Sequence, residues 1–410
     1  MAMYITLNRR FEFCASRLLR PGGWSEDEAL AWYGGDALGQ YGQGRNYTAY
    51  FIFTGNVDES TGMLVNLSEI KQRVRGLIEK RFDHKNLNVD TPPFDKTPPT
   101  VELVARQLLE EVTRVFEGHP ARPVACHLQE TPTLAATAFA NHDIEVHYTL
   151  DFSAARQTMS PNLSQEENLA LFGLAAAEAG HGHHYYARIT LRGGVDDVAG
   201  TVGKPSAIRR RLGELRTMLD HKHLNKDVAE LSGQPMTTEC LTRFLFSRLQ
   251  NDFPVERVRL RENDWFFIEY AGADEFSLGI SDVFSAMHRL HTDELPEDKN
   301  IELYGKCNNP RGHGHYYQVE MTLSGGLNER TGTLFPLDVV AGKFKDILAL
   351  FDNKYLDQEV DPFRQIPSTG ENIVIELWKR MEKEYGKKLT RVRLGETNNN
   401  RFAIRRTDDR

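Results

Sequence analysis

Cysteine is scarce in this chain. Cys14, Cys126, Cys240 and Cys307 are its four cysteines, scattered along 410 residues. That spacing excludes a disulfide-framed secreted fold and fits free thiols in a reducing cytoplasm. No apolar run approaches the roughly 18 residues of a spanning helix, so no membrane partner is expected. The start, Met1-Ala2-Met3-Tyr4-Ile5-Thr6, runs straight into a strand pattern; without a charged segment and apolar core behind it, no secretory leader is expected. Basic residues are the minority, 50 Lys and Arg against 58 Asp and Glu, for a formal net charge of −8. A general nucleic-acid or membrane-surface binder would show a basic face instead. An anionic small substrate remains open, because a local Arg/Lys cluster serves a phosphate inside an acidic protein. Hydrophobic content of 40% and charged content of 26% are ordinary for a soluble globular chain.

Internal repetition decides the architecture. Asp83-His84-Lys85-Asn86-Leu87, Asp220-His221-Lys222-His223-Leu224 and Asp352-Asn353-Lys354-Tyr355-Leu356 are one motif, recurring after 137 and 132 positions. Gly42-Gln43-Gly44-Arg45, Gly180-His181-Gly182-His183 and Gly312-His313-Gly314-His315 keep the same step. So do Glu130, Glu262 and Glu396, each just after a strand pattern. Three units are expected, over 1–141, 142–272 and 273–410. Within the third, Phe276 to Ala286 reads as a strand. Tyr317, Val319, Met321 and Leu323 alternate with Gln318, Glu320 and Thr322 as a half-buried second strand. Gly325-Gly326 and Thr331-Gly332 predict a hairpin turn, with Gly55 and Gly62, and Gly193-Gly194 and Gly200, as counterparts. Helices are predicted over about Asp338 to Leu350 and from Ser368 onward, where Ser368 and Glu371 form a capping-box pattern. Strands at Val392 to Leu394 and Phe402 to Ile404 close the unit. The fold class is α+β, antiparallel strands with two helices on one face.

The chemistry concentrates in the third unit. His313 and His315 are two apart on a strand and so share a face. With His288 from a neighbouring strand they supply three imidazoles and leave an open fourth position, the pattern of a catalytic metal. Zinc suits imidazoles best, with cobalt or nickel binding similarly. Cys307, six residues before His313, is either a base beside that charge or a fourth ligand that closes the site. Asp83-His84 and Asp220-His221 are either proton shuttles or charge pairs in a turn. A carboxylate such as Glu396 can accept two hydrogen bonds from an amino-substituted heterocycle.

These residues resemble the 6-pyruvoyl-tetrahydropterin synthase family, which includes the 6-carboxy-tetrahydropterin synthases, in all three copies. The matching pieces are Phe284-Ser285-Ala286-Met287-His288, Cys307-Asn308-Asn309-Pro310-Arg311-Gly312-His313-Gly314-His315, the Asp-His-Lys motif and the closing Glu-Thr. The resemblance implies three tandem tunnelling-fold units, each a four-stranded antiparallel sheet with two helices, closing into a pseudo-trimeric barrel. It implies zinc on His288, His313 and His315, and Cys307 as base. It also implies Asp-His pairs as proton relays and Glu396, Glu262, Glu130 and Thr369 as substrate-binding positions. The substrate would be 7,8-dihydroneopterin triphosphate, losing triphosphate.

No copy is complete. In the third, Asn353 follows Asp352 where a histidine belongs. The first has Arg17, Gln43 and Arg45 for the metal histidines and Ala37 for the cysteine, yet keeps Asp83, His84 and Glu130. The second keeps His181, His183, Asp220, His221 and Glu262, with Arg156 and Ala175 at the other positions; Glu178 there resembles a variant that forms 6-hydroxymethyl-dihydropterin. The expectation is therefore one composite site, the third unit's metal and thiol meeting a dyad from the first or second. A homodimer of such rings would reproduce the family's six units. A 6-carboxy-tetrahydropterin product, or a non-catalytic pterin-binding scaffold, are the alternatives.

Overall fold

The computed structural model describes residues 3–406. Among these residues, twelve long strands and nine helices of at least two turns repeat one order three times. The first unit has β1 (Met3–Arg17), α1 (Glu26–Tyr33), β2 (Gln43–Thr54), α2 (Leu67–Arg81), α3 (Val101–Val115), β3 (Arg122–Thr131) and β4 (Leu134–Phe139). The second has β5 (Ile144–Arg156), α4 (Gln165–Phe172), β6 (His181–Arg192), α5 (Pro205–Leu219), α6 (Thr238–Ser247), β7 (Val255–Arg261) and β8 (Phe266–Tyr270). The third has β9 (Phe276–His288), α7 (Glu297–Tyr304), β10 (His313–Gly325), α8 (Leu337–Leu348), α9 (Gly370–Tyr385), β11 (Leu389–Gly395) and β12 (Asn400–Arg406).

The long strands run antiparallel in the order β8-β7-β6-β5-β4-β3-β2-β1-β12-β11-β10-β9, and β8 pairs β9 to close the ring. A closed barrel abolishes edges. One face of every strand carries the core: Tyr47, Ala49, Phe51 and Phe53 on β2, and Tyr317, Val319, Met321 and Leu323 on β10, are all buried. Helices cover that face through apolar residues at helical spacing, such as Val101, Val104, Ala105, Leu108 and Val112 on α3. No helix among the described residues is long and apolar enough to cross a membrane.

Three expectations are corrected. The polar face of β10 does not meet bulk water: Glu320 and Thr322 are buried because that face lines the barrel interior. The glycine-rich segments do not join paired strands. The one after β10 makes only a single bridge, Asn328 to Thr333, and leads into α8. Its tip docks on the neighbouring unit. Lastly, Thr369 rather than Ser368 caps α9, accepting from the Asn372 N–H at 3.3 Å.

The docking is repeated around the ring. Thr100 donates to the Gly200 carbonyl at 2.6 Å, Thr237 to Gly332 at 2.5 Å, and Thr369 to Gly62 at 2.5 Å. Two residues on from each threonine, a buried glutamate accepts a backbone N–H of the same neighbour. Glu102 takes Val202 at 3.3 Å, Glu239 takes Leu334 at 2.9 Å, and Glu371 takes Leu64 at 3.0 Å. Glycine is required opposite: Gly62 has φ +67°, and a Cβ there would lie 2.6 Å from the Asn372 amide nitrogen.

Burial raises each of these three glutamates from 4.5 to about 7. The folded ring then holds protons that the unfolded chain has released, so this contribution is present below about pH 4.5 and is lost as pH rises through 7. A shift of about 2.5 units corresponds to about 3 kcal/mol per group. Glu239→Gln should therefore exceed the wild type in urea-unfolding stability by about that much at pH 8 and match it near pH 4.5. A difference of the same size at both pH values contradicts this account.

Candidate metal centre

His288 ends β9, and its register partner across the ladder is His313, the first residue of β10. His315 lies on the same face two residues on. The ligating atoms of the three rings lie within 4.8 Å of one another. His288 is fully buried; its Nδ1 lies 2.9 Å from the Ser368 carbonyl, and donation there leaves Nε2 bare, 3.1 Å from His313 Nε2. Burial holds the His288 imidazole down at about 3, so it is neutral. Burial lowers His313 and His315 as well. Two ring nitrogens facing each other at this distance need either a shared proton or a cation between them, and His313 Nδ1 is a further buried atom without a partner. The donor set fits a divalent metal such as zinc, with the Ser368 carbonyl orienting one ligand.

Cys307 sits in a 3-10 turn, Gly305–Asn308, after α7. Its carbonyl accepts the Leu290 N–H at 2.9 Å, and the Asn308 amide donates to the Leu290 carbonyl at 2.7 Å, so the turn is clamped to the strand that carries His288. Burial and then Glu396 raise the thiol. Glu396 directly follows β11, is itself raised by burial, accepts from the Asn400 amide at 3.2 Å and lies 3.9 Å from His315 Nε2. Its field also reaches Glu371, at the junction with the first unit, and Arg9 of β1. Glu396 thus feels charges of two units. Thr369, expected to bind substrate, spends its hydroxyl on the cap and on Gly62.

The sequence reading gives Glu371 a capping role only and misses its contact with Leu64 of the first unit. The recurrence Thr100-Val101-Glu102, Thr237-Thr238-Glu239 and Thr369-Gly370-Glu371 was the available signal.

The equivalent positions elsewhere have become ion-pair struts. In the first unit Arg17 replaces the first histidine and binds Glu130, both 1% exposed at the side chain. Arg45 Nε adds a contact to Glu130 at 3.1 Å and its Nη2 one to Asp36 at 3.2 Å. The residual void among Arg17, Asp36, Glu102, Glu130 and Tyr148 is about 20 Å³, room for about one water. Asp36, not Ala37, occupies the place of Cys307 in the 3-10 turn, because one extra residue separates that turn from Gly42. In the second unit Arg156 pairs Glu262 at 2.5 Å, and Thr238 also donates to Glu262. Glu130 and Glu262 are therefore taken up by arginines, and Glu396 alone of the three closing glutamates is not.

The Asp-His turns are built alike. Asp83, Asp220 and Asp352 accept the backbone N–H of Cys14, Ser153 and Ser285 at 2.8–2.9 Å. His84 and His221 lie 3.0 Å from their aspartates, and the Asn353 amide donates to Asp352 at 2.8 Å. All three following residues have φ of 56–58°, a left-handed conformation that asparagine tolerates better than histidine. The dyad rings of His84 and His221 are 80% and 84% exposed, and neither makes a hydrogen bond or ion pair to Cys307, His288, His313 or His315 among the described residues. An open hollow of about 550 Å³ lies beside His84, lined also by Cys14, Arg45 and Lys85. Cys14, Asp83 and His84 also bring three ligating atoms within 4.8 Å.

The family model described as 6-pyruvoyl tetrahydropterin synthase matches residues 6–141, 145–273 and 278–407. The 6-pyruvoyl tetrahydrobiopterin synthase of Poecilia reticulata is 40% identical over 124 residues, 30% of this chain and 84% of that protein. The Homo sapiens enzyme of the same name is 39% identical over 119 residues, 28% of this chain and 82% of that protein. The solved structure of Caenorhabditis elegans 6-pyruvoyl tetrahydropterin synthase has 31% identity and a TM-score of 0.32, covering 32% of this chain and 96% of that one. Three consecutive matches over nearly the whole length make this chain a member of the 6-pyruvoyl tetrahydropterin synthase family, with three family units in one polypeptide.

Proposed function

We propose that this protein is a zinc-dependent lyase of the 6-pyruvoyl-tetrahydropterin synthase type, acting on 7,8-dihydroneopterin triphosphate with loss of triphosphate. The observation that carries the reading is selective retention. Of three equivalent sites, two are filled by buried arginine–glutamate pairs, while one keeps three converging imidazoles, a thiol and a free carboxylate. A scaffold with no catalytic role would have no reason to keep that set together.

In this reading His288, His313 and His315 hold zinc, whose charge acidifies substrate C–H and O–H groups near it. Cys307 takes the proton. Burial and Glu396 raise its thiol, so it needs a neighbouring positive charge to reach the thiolate. Glu396 accepts hydrogen bonds from the pterin ring. The proton relay is an Asp-His pair of the first or second unit, Asp83-His84 or Asp220-His221, whose rings stand in solvent and are free to meet a substrate. A homodimer of rings is the proposed assembly. The four free thiols support a cytoplasmic setting.

The test is incubation of zinc-loaded protein with 7,8-dihydroneopterin triphosphate, following triphosphate release and product mass. Release of triphosphate with a 6-pyruvoyl product supports the proposal; a 6-carboxy or 6-hydroxymethyl product moves it to another branch of the family, and no turnover defeats it. Metal analysis should give about one zinc per chain, as a single three-histidine site requires. His288→Ala should bring that to near zero.

A further inference from the structure

The barrel interior carries a charge imbalance that the proposed reaction does not use. Eight arginines, Arg188, Arg257, Arg259, Arg261, Arg391, Arg393, Arg401 and Arg405, lie on the inward face of β6, β7, β11 and β12. Three glutamates meet them there. Glu145 takes Arg257 at 2.6 and 2.8 Å, Glu269 takes Arg259 at 2.9 Å, and Glu320 takes Arg391 and Arg393. Glu256 and Asp264 stand at the rim, Glu256 already contacting Arg192 at 3.3 Å.

Two of these arginines feel a carboxylate, Glu269, only at a distance. Arg188 and Arg405 make no hydrogen bond, ion pair or ring contact among the described residues, and both are open to solvent within the ring. Each is also set directly across the ladder from another arginine, Arg188 from Arg259 and Arg405 from Arg391. Like charges at such positions destabilise a sheet. Although each reaches solvent, enclosure by the surrounding strands and then the neighbouring guanidinium charges hold both below the usual arginine value. Solvent-reaching guanidinium groups gathered on the inward face of a closed strand ring form an anion trap: the field is focused and each fork presents two donors to an oxyanion.

We propose that the channel through the ring binds a compact multivalent oxyanion of the phosphate class, held by Arg188 and Arg405 together with Arg259 and Arg391. This site is separate from the three histidines, which lie on the opposite, helix-covered face of the sheet.

The test is titration of inorganic pyrophosphate into the full-length protein by calorimetry at low ionic strength, with acetate as the monovalent control. Wild type and His288→Ala should both bind pyrophosphate, acetate should not compete, and Arg188→Gln with Arg405→Gln should weaken binding at least tenfold. The same double variant should melt higher than wild type in anion-free buffer, since both cross-strand repulsions are gone. Absence of binding to wild type, loss of binding in His288→Ala, or a weakening of less than tenfold in the double variant overturns the proposal. Because the lyase assay reads a different face of the barrel, either idea can fail while the other stands.

Discussion

Arg17→Ala should destabilise the protein by about 3–5 kcal/mol, the range for removing one partner of a buried ion pair. The guanidinium and the Glu130 carboxylate are both 1% exposed at the side chain, and Arg45 reaches only the same Oε1 atom, so deletion leaves a carboxylate charge short of compensation. The void beside them is too small to admit more than about one water to take the place of the lost head group. Urea midpoints at pH 7 would measure the loss. Replacing both partners, as in Arg17→Met with Glu130→Leu, should recover most of it, because well-packed apolar residues substitute for buried pairs without net cost. A loss below about 1 kcal/mol in the single variant, the value of an exposed pair, would show that this junction is not held by the pair.

Cys307→Ala should lower turnover by about 10²–10⁴, the usual contribution of a positioned acid or base. Zinc content should be unchanged, because the three imidazoles are held by strand register and by the Ser368 carbonyl, not by the thiol. Turnover and metal content measured on one preparation distinguish base from ligand. Loss of zinc together with activity would make Cys307 a fourth ligand; more than a tenth of wild-type turnover would remove it from the chemistry. His84→Ala and His221→Ala, assayed beside it, should divide the relay role, with the larger loss marking the dyad that serves the site.

Much of this molecule was legible as repetition. Asp83, Asp220 and Asp352 announced three units, and the His-x-His pair announced a metal face because strand geometry puts alternate residues together. What escaped depended on contacts distant in the chain. The pattern of Ser368 and Glu371 reads as a local cap, yet Glu371 turns to Leu64, 307 residues away. Gln318, Glu320 and Thr322 read as a solvated face because alternation cannot distinguish bulk water from a barrel lumen. The cysteine's place in the first unit reads as Ala37, one residue beyond Asp36, because loop length, not motif spacing, sets which residue enters the 3-10 turn. The asparagine at 353 reads as a lost histidine, whereas its backbone shows a position where asparagine sits with less strain.

The first strand and the last lie side by side, Met3 opposite Arg406. The first and last described strands therefore bring the ends of residues 3–406 together, and the seam between them is a sheet pairing like the others. Joining those ends and cutting between β4 and β5, or between β8 and β9, would preserve every ladder and move only the seam. Severing β1 or β12 instead would leave a gap in the hoop, with raw strand borders on both sides and Arg9 no longer beside Glu396.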